Sequence, residues 1–358
     1  MPVSGSRFFL TAILSILIGS LHARAQGSEW TRLNQAGMKA YGQGNYIEAE
    51  RNFRAALGEA ERSGARDEQL AASLNNLGVL HSITGKPDEA IEFLKRSVSI
   101  REEVLGPMDP VIATGLNNLA DIYRTEGQYE IAEPLYRRAL KIWERNYGSE
   151  DPRLAPVYLN LGELFRHQSK FKEARELFDR ALRALESSNE PYPLLMATCL
   201  NNFAASYADQ KNFAKALPRY RQAQAVLEKA QLTEHPTMAT VLRNTATLYR
   251  DQGKYSEAEP LFRASIALLE KALGAESQNL IESLSSLAEV CRFQGKYDDA
   301  EQLYRRTLAI QEKSFGSRHP SVAISLEKLM TVFTDLGNYA EAERMRDRAR
   351  AIRSGFAP

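Results

Sequence analysis

Apolar and small residues recur along this chain at helical spacing, in paired blocks. In one block Leu116, Leu119, Ala120 and Tyr123 fall at i, i+3, i+4 and i+7, the spacing that puts side chains on one face of a helix. Gly127 follows, and then Tyr129, Ala132, Leu135, Tyr136, Ala139 and Leu140 repeat the spacing. A glycine suits the turn between two such helices, because it enters left-handed backbone without steric cost. The pattern predicts a helix hairpin.

The hairpin recurs down the chain. Its turn motif begins at Gly44, Gly85, Gly127, Ser169, Lys211, Gly253, Gly295 and Gly337, a step of 41 residues once and 42 thereafter. Asp109-Pro110, Asp151-Pro152, His235-Pro236 and His319-Pro320 separate successive hairpins. Proline there suits the first turn of a new helix and blocks extension of the old one. The predicted fold class is all-α: an α-solenoid superhelix of about eight hairpins over residues 26–353. The approximate repeats are 30–62, 67–105, 110–147, 152–188, 193–231, 236–273, 278–315 and 320–353, with a tail at 354–358.

A period near 42 also suits other arrays. No period-two strand pattern appears, which excludes a propeller. Small residues stand where helices must touch closely: Gly78, Ala120, Gly162, Ala204, Ala246 and Ala288. Bulky partners stand in the second helices, at Phe53, Leu94, Tyr136, Phe178, Tyr220, Phe262 and Tyr304. This skeleton, Leu-Gly-x2-Tyr followed by Ala-x3-Phe, resembles the tetratricopeptide repeat (TPR) rather than HEAT arrays. Gly127-Gln-Tyr-Glu-Ile-Ala-Glu-Pro-Leu-Tyr, Gly253-Lys-Tyr-Ser-Glu-Ala-Glu-Pro-Leu-Phe and Leu74-Asn-Asn-Leu-Gly look like repeats of the kinesin light chain type. The resemblance covers residues 30 to 353 and implies peptide or protein binding, with no specific biological role. In the last repeat Met330 and Arg346 replace small and bulky apolar residues. The second helix there is expected to cap the array with a polar outer face.

The N-terminus has a different pattern. Phe8 to Leu21 is an apolar run after Arg7, and Ala23-Arg24-Ala25 precedes Gln26. This is the three-part form of a secretory signal peptide over residues 1–25, cut between Ala25 and Gln26. The run has the length of about 21 Å of helix, short of a hydrocarbon core of about 30 Å. The mature chain is therefore expected to be exported, periplasmic or secreted, with no stable membrane span. Cleavage removes two of the 46 basic residues and no acid, leaving 44 against 45 acidic. So balanced a charge supplies no field for nucleic acid. Cys199 and Cys291 fall in repeats separated by a third, too far apart for a disulfide. They are expected to be small buried side chains.

Candidate chemistry lies on the first helix of each hairpin. At about 100° per residue, Asn117, Asp121 and Arg124 point away from the core side, with Asn118 beside them. Two ladders emerge. One is Asn75, Asn76, Asn117, Asn118, Asn160, Asn201, Asn202 and Asn244. An amide both donates and accepts, so a row of them grips an extended backbone with little sequence demand. The resemblance implies peptide contact at the Asn118-type positions. The alternative is that these amides bond neighbouring repeats to one another. The other ladder is Arg124, Arg166, Arg250 and Arg292, broken by Ala208. Arginines fork onto acidic side chains or a terminal carboxylate, or pair with Asp121, Glu163, Asp251 and Glu289. Eight repeats of about 10 Å each give a groove of roughly 80 Å, enough for about 25 extended residues.

No phosphate loop, zinc-helix motif, nucleophile elbow or Cys-x-x-Cys is present. The histidines are scattered, and His81 takes a core tyrosine position. No cofactor, metal or catalysis is expected. The resemblance, with no catalytic motif beside it, implies a non-enzymatic scaffold binding a peptide segment or protein partner. The alternatives are a self-assembling component of an envelope complex, or a regulatory subunit of a separate enzyme.

Overall fold

The computed structural model describes residues 29–62, 64 and 67–355. The expected signal peptide, with its cleavage point at Ala25 and Gln26, lies outside the described residues, as do residues 356–358 of the tail. The described residues form α-helices and two short 3-10 turns, with no strand among them.

The chain divides into two compact units, Met1–Pro191 and Tyr192–Pro358. The first contains α1 (Glu29–Gly42), α2 (Tyr46–Arg62), α3 (Glu68–Ile83), α4 (Pro87–Leu105), α5 (Pro110–Thr125), α6 (Tyr129–Tyr147), α7 (Ala155–His167) and α8 (Phe171–Glu186). The second contains α9 (Pro193–Ala208), α10 (Phe213–Lys229), α11 (Pro236–Asp251), α12 (Tyr255–Leu273), α13 (Ile281–Phe293), α14 (Tyr297–Phe315), α15 (Pro320–Asp335) and α16 (Tyr339–Ser354). Each odd-numbered helix packs on the even-numbered helix after it. Each unit is thus four helix hairpins of α-solenoid.

Local chemistry explains where the helices begin and end. Asp109 accepts the Val111 N–H at 2.9 Å and starts α5, with Pro110 in the first turn. His235 and His319 do the same for α11 and α15, each accepting on Nδ1. Such caps satisfy N–H groups that a helix start leaves without partners. Within a hairpin the turn closes by a bond from the Gln128 N–H to the Tyr123 carbonyl at 2.8 Å, with Gly127 at φ 74°. Ser169 and Lys211 stand in that glycine position and still adopt φ 60° and 58°. The rest of each turn therefore forces a conformation that a side chain disfavours.

Packing follows the small-against-bulky rule. A Cβ on Gly162 would sit 2.5 Å from Phe178 Cε1, so α7 and α8 approach more closely than any other residue would allow. Phe178, Tyr136, Tyr304, Phe53 and Phe262 are fully buried at that contact. Ser97 Oγ donates to the Ala71 carbonyl at 2.7 Å, and Ser265 Oγ to the Ala239 carbonyl at 2.8 Å, so both units repeat the same tie. On the second helices, arginines reach glutamates of the preceding hairpin: Arg138 to Glu102, Arg180 to Glu144, Arg306 to Glu270 and Arg348 to Glu312. These pairs are exposed and contribute little each. The last helix, α16, buries only Ala342, Ala349 and Ile352. Arg346 pairs with Glu343 and Asp347 in solvent, as a polar end cap requires.

Candidate ligand face on the first helices

Within the first unit α3 lies beside both α1 and α5, and α5 beside α7; within the second, α11 lies beside α9 and α13. The amides of the asparagine ladder therefore meet across successive hairpins. Asn76 Nδ2 donates to Asn34 Oδ1 at 2.8 Å. Asn160 Nδ2 donates to Asn117 Oδ1 at 3.2 Å. Asn244 Nδ2 donates to Asn201 Oδ1 at 2.9 Å, and Asn201 Nδ2 in turn donates to Asn202 Oδ1 at 3.1 Å. Each inter-repeat bond follows one register rule. The donor stands nine residues before its turn residue, and the acceptor ten before the preceding one. Lys328 continues the rule without an amide, donating to Ser285 Oγ at 3.1 Å.

Asn75 and Asn118 occupy the same two register positions in neighbouring hairpins. Both are buried, and neither Asn75 Oδ1 nor Asn118 Oδ1 has a hydrogen-bond partner. The ladder is therefore of two kinds: amides that tie repeats together, and a pair that does not.

The arginine row carries compensated charge. Arg124 lies 2.5 Å from Asp121 Oδ1, and the Tyr136 hydroxyl donates to the same oxygen at 3.2 Å. Burial opposes the charge on Arg124, but the Asp121 carboxylate outweighs it, and the guanidinium stays protonated. Burial and Asp121 together push the Tyr136 hydroxyl far above its ordinary range. Arg166 holds Glu163 at 3.0 Å. Burial would raise the Glu163 carboxyl, yet Arg166 brings it below the usual value. Arg250 bridges Asp251 and Glu289, and Arg292 reaches Asp335 at 2.9 Å. These are the acid partners that helical spacing put within reach, plus Asp335 from the following hairpin.

Sequence reasoning missed Asn34, the tie between Lys328 and Ser285, and the link from Tyr136 to Asp121. Asn34 stands ten residues before Gly44, as Asn75 does before Gly85, and that register could have revealed it. Lys328 and Ser285 carry no amide, so only geometry exposes their tie. The link from Tyr136 to Asp121 joins a core position to the polar face, which a face-by-face reading separates.

The other candidate groups are packed. His81 is fully buried, edge-on to Phe93, with Nε2 3.3 Å from Glu50 and Nδ1 3.1 Å from Glu89. Cys199 and Cys291 are buried and form no disulfide. Burial pushes the Cys291 thiol up to about 11, so it stays protonated and a poor nucleophile. Among the described residues no group of three or more His, Cys, Asp or Glu could hold a metal ion. Among them, too, no helix is long and apolar enough to cross a membrane.

Stacked hairpins with a small-residue contact within each and a largely buried polar row along the first helices define an α-solenoid repeat protein. The Tetratricopeptide repeat family model matches residues 28–103 and 111–187, and the MalT-like TPR region matches 153–351. The chain belongs to the tetratricopeptide repeat family. Solved structures agree on the fold. A putative kinesin light chain with nearly identical TPR-like repeats from Podosopora anserina is 24% identical, covering 57% of this chain and 96% of its own, with a TM-score of 0.50. The apo form of RapI is 17% identical, covering 80% of this chain and 98% of its own, at a TM-score of 0.62. A Rap protein complexed with Competence and Sporulation Factor is 18% identical, covering 91% and 96%, at 0.55. No curated protein matches the chain.

Proposed function

We propose that this chain is a non-enzymatic scaffold that holds a peptide segment or a protein partner along its first helices. The observation that carries this reading is the polar face itself. Amides and compensated ion pairs recur there at fixed register, where a solenoid needs only solvated residues. Four hairpins of about 10 Å each give a unit roughly 40 Å of face, the span of about 12 extended residues. Amides offer both polarities to a backbone, while charges already paired do not select a strongly acidic or basic ligand. A solved Rap protein carries a bound factor on the same fold, which is consistent with this use of the face.

Export is part of the proposal. The apolar run at Phe8 to Leu21 and the small residues before Gln26 give the order a signal peptidase reads. N-terminal sequencing of the protein recovered outside the cytoplasm should begin at Gln26. Recovery of only the full-length chain, inside the cell, would refute export.

The scaffold reading is tested by affinity capture on residues 26–358. The expected result is one or a few proteins retained by the wild type and released when Asn118→Leu is used as bait. Retention that ignores this substitution would place the binding surface elsewhere.

A further inference from the structure

Tyr123, Phe165, Tyr207, Tyr249 and Phe333 stand four residues before their turn residues, and His81 takes that position before Gly85. Its ring is fully buried, edge-on to Phe93 of α4 at 5.3 Å. A carboxylate faces each ring nitrogen. Nε2 lies 3.3 Å from Glu50 of α2, in the preceding hairpin. Nδ1 lies 3.1 Å from Glu89 of α4, close enough for an ion pair but without hydrogen-bond alignment. Helices α1 and α5 also lie beside α3. Among the described residues neither gives the ring a hydrogen-bonding or ionic partner. Glu50 is itself held by Arg54 at 2.9 Å, with Lys86 at 3.6 Å. Arg54 first, then Lys86, keeps the Glu50 carboxyl below its usual range against the effect of burial, so it stays an anion. Glu89 is half in solvent.

A neutral imidazole carries one N–H and one lone pair. Between these carboxylates it donates to one and turns its lone pair on the other. Only the imidazolium presents an N–H to both. Inside a protein, where charges are weakly screened, that difference is large.

We propose that His81 is a pH-responsive staple, whose charged ring fastens the first hairpin through Glu50 and draws in Glu89 of the second. Glu89 is the moving part. It aligns on the charged ring and swings to solvent when the ring is neutral. The charged ring meets both anions only in the folded chain, so folding favours the proton and the staple is firm in acid. It weakens as the pH rises and the proton leaves. Lys86 still faces Glu50 then, so the first hairpin loosens without detaching. That hairpin carries Asn34, the acceptor for Asn76, so the start of the polar row follows the staple.

Two measurements on the purified protein test this. Nitrogen-15 spectra of the histidine rings, with His81 assigned by its loss in His81→Tyr, report the protons directly. Both nitrogens should be protonated at about pH 5.5 and one at about pH 8.5. A ring neutral at both values, or charged at both, overturns the proposal. Hydrogen exchange then reads the hairpin. Protection of the α2 amides, taken as wild type over His81→Tyr at the same pH, should fall about tenfold between those values, the loss of one charge-assisted bond. Glu89→Gln removes one anion from a half-exposed position, and its fall against His81→Tyr should shrink to about threefold. A wild-type ratio that stays constant with pH overturns the staple, because a merely packed ring leaves it constant. If His81→Tyr fails to fold, Glu89→Gln becomes the reference, and a constant ratio there overturns the proposal equally.

Discussion

Asn160 of α7 donates its amide to Asn117 of α5 at 3.2 Å, 43 residues away. Asn117 is 1% exposed, so the bond is shielded on the acceptor side. A shielded amide pair of this kind contributes about 1 kcal/mol, and stranding one partner costs somewhat more. Asn160→Ala and Asn117→Ala should each lower the stability of the first unit by about 1–2 kcal/mol in urea denaturation. The double variant should lose less than the sum, with a coupling of about 0.5–1.5 kcal/mol. Full additivity would mean the two amides do not communicate in solution.

Gly162 tests the close approach of α7 and α8. In an exposed helix, glycine to alanine gains about 1 kcal/mol. Here the new Cβ would meet Phe178 Cε1 at 2.5 Å, and overpacking costs about 1–3 kcal/mol. Gly162→Ala should therefore destabilise. Adding Phe178→Leu should recover part of the loss by shrinking the opposing ring. A more stable single variant, read by its thermal midpoint, would mean the hairpin relaxes freely.

Ser169 and Lys211 offer the opposite case. Both sit at positive φ, 60° and 58°, where six equivalent turns carry glycine at φ 72–81°. Left-handed backbone costs a side-chain-bearing residue about 1–2 kcal/mol, partly offset by the greater freedom glycine loses on folding. Ser169→Gly and Lys211→Gly should each gain about 0.5–1 kcal/mol by that difference. No gain in the denaturation midpoint would show that the serine or lysine side chain supplies a compensating contact.

How much of this was legible beforehand follows from what repeats. Gly127 and its equivalents announce the turns, and Gly162 against Phe178 announces the helix contact, because backbone sterics leave few residue choices there. The direction of Asn118 was legible too, since helical spacing fixes which face a side chain occupies. Its bonding was not. Asn117 and Asn118 are adjacent and chemically identical, yet one is closed by Asn160 and the other is open. Asn75 stands at the register that matches Asn118, just as Asn117 does for Asn160, so residue identity alone does not decide which pair closes. Leu159 precedes Asn160 where another hairpin has Asn117 before Asn118, so the ladder is not uniform even where it looks so. The arginine row left two readings open, a receptor for acids or pairing with Asp121, Glu163, Asp251 and Glu289; those pairs form, and Asp335 is the one acid that spacing did not indicate. The division after Pro191 had no signal in a period that runs unbroken through it.

His235 makes one helix start sensitive to pH. Its Nδ1 accepts the Thr237 N–H at 3.1 Å and lies 3.0 Å from Thr237 Oγ1, which requires an unprotonated Nδ1. Burial lowers the imidazole below its ordinary value of 6.5. The unfolded chain therefore takes up the proton at higher pH than the folded one. The cap's contribution, about 1 kcal/mol, is intact above about pH 6.5. It is lost as pH falls through the lowered folded value. Asp109 and Asp151 cap their helices with carboxylates, so His235→Asp should keep the cap and move its titration to about pH 4. Urea midpoints measured from pH 7.5 to 5 should fall less steeply for the variant than for the wild type. Parallel curves over that range would show that the imidazole does not titrate against folding.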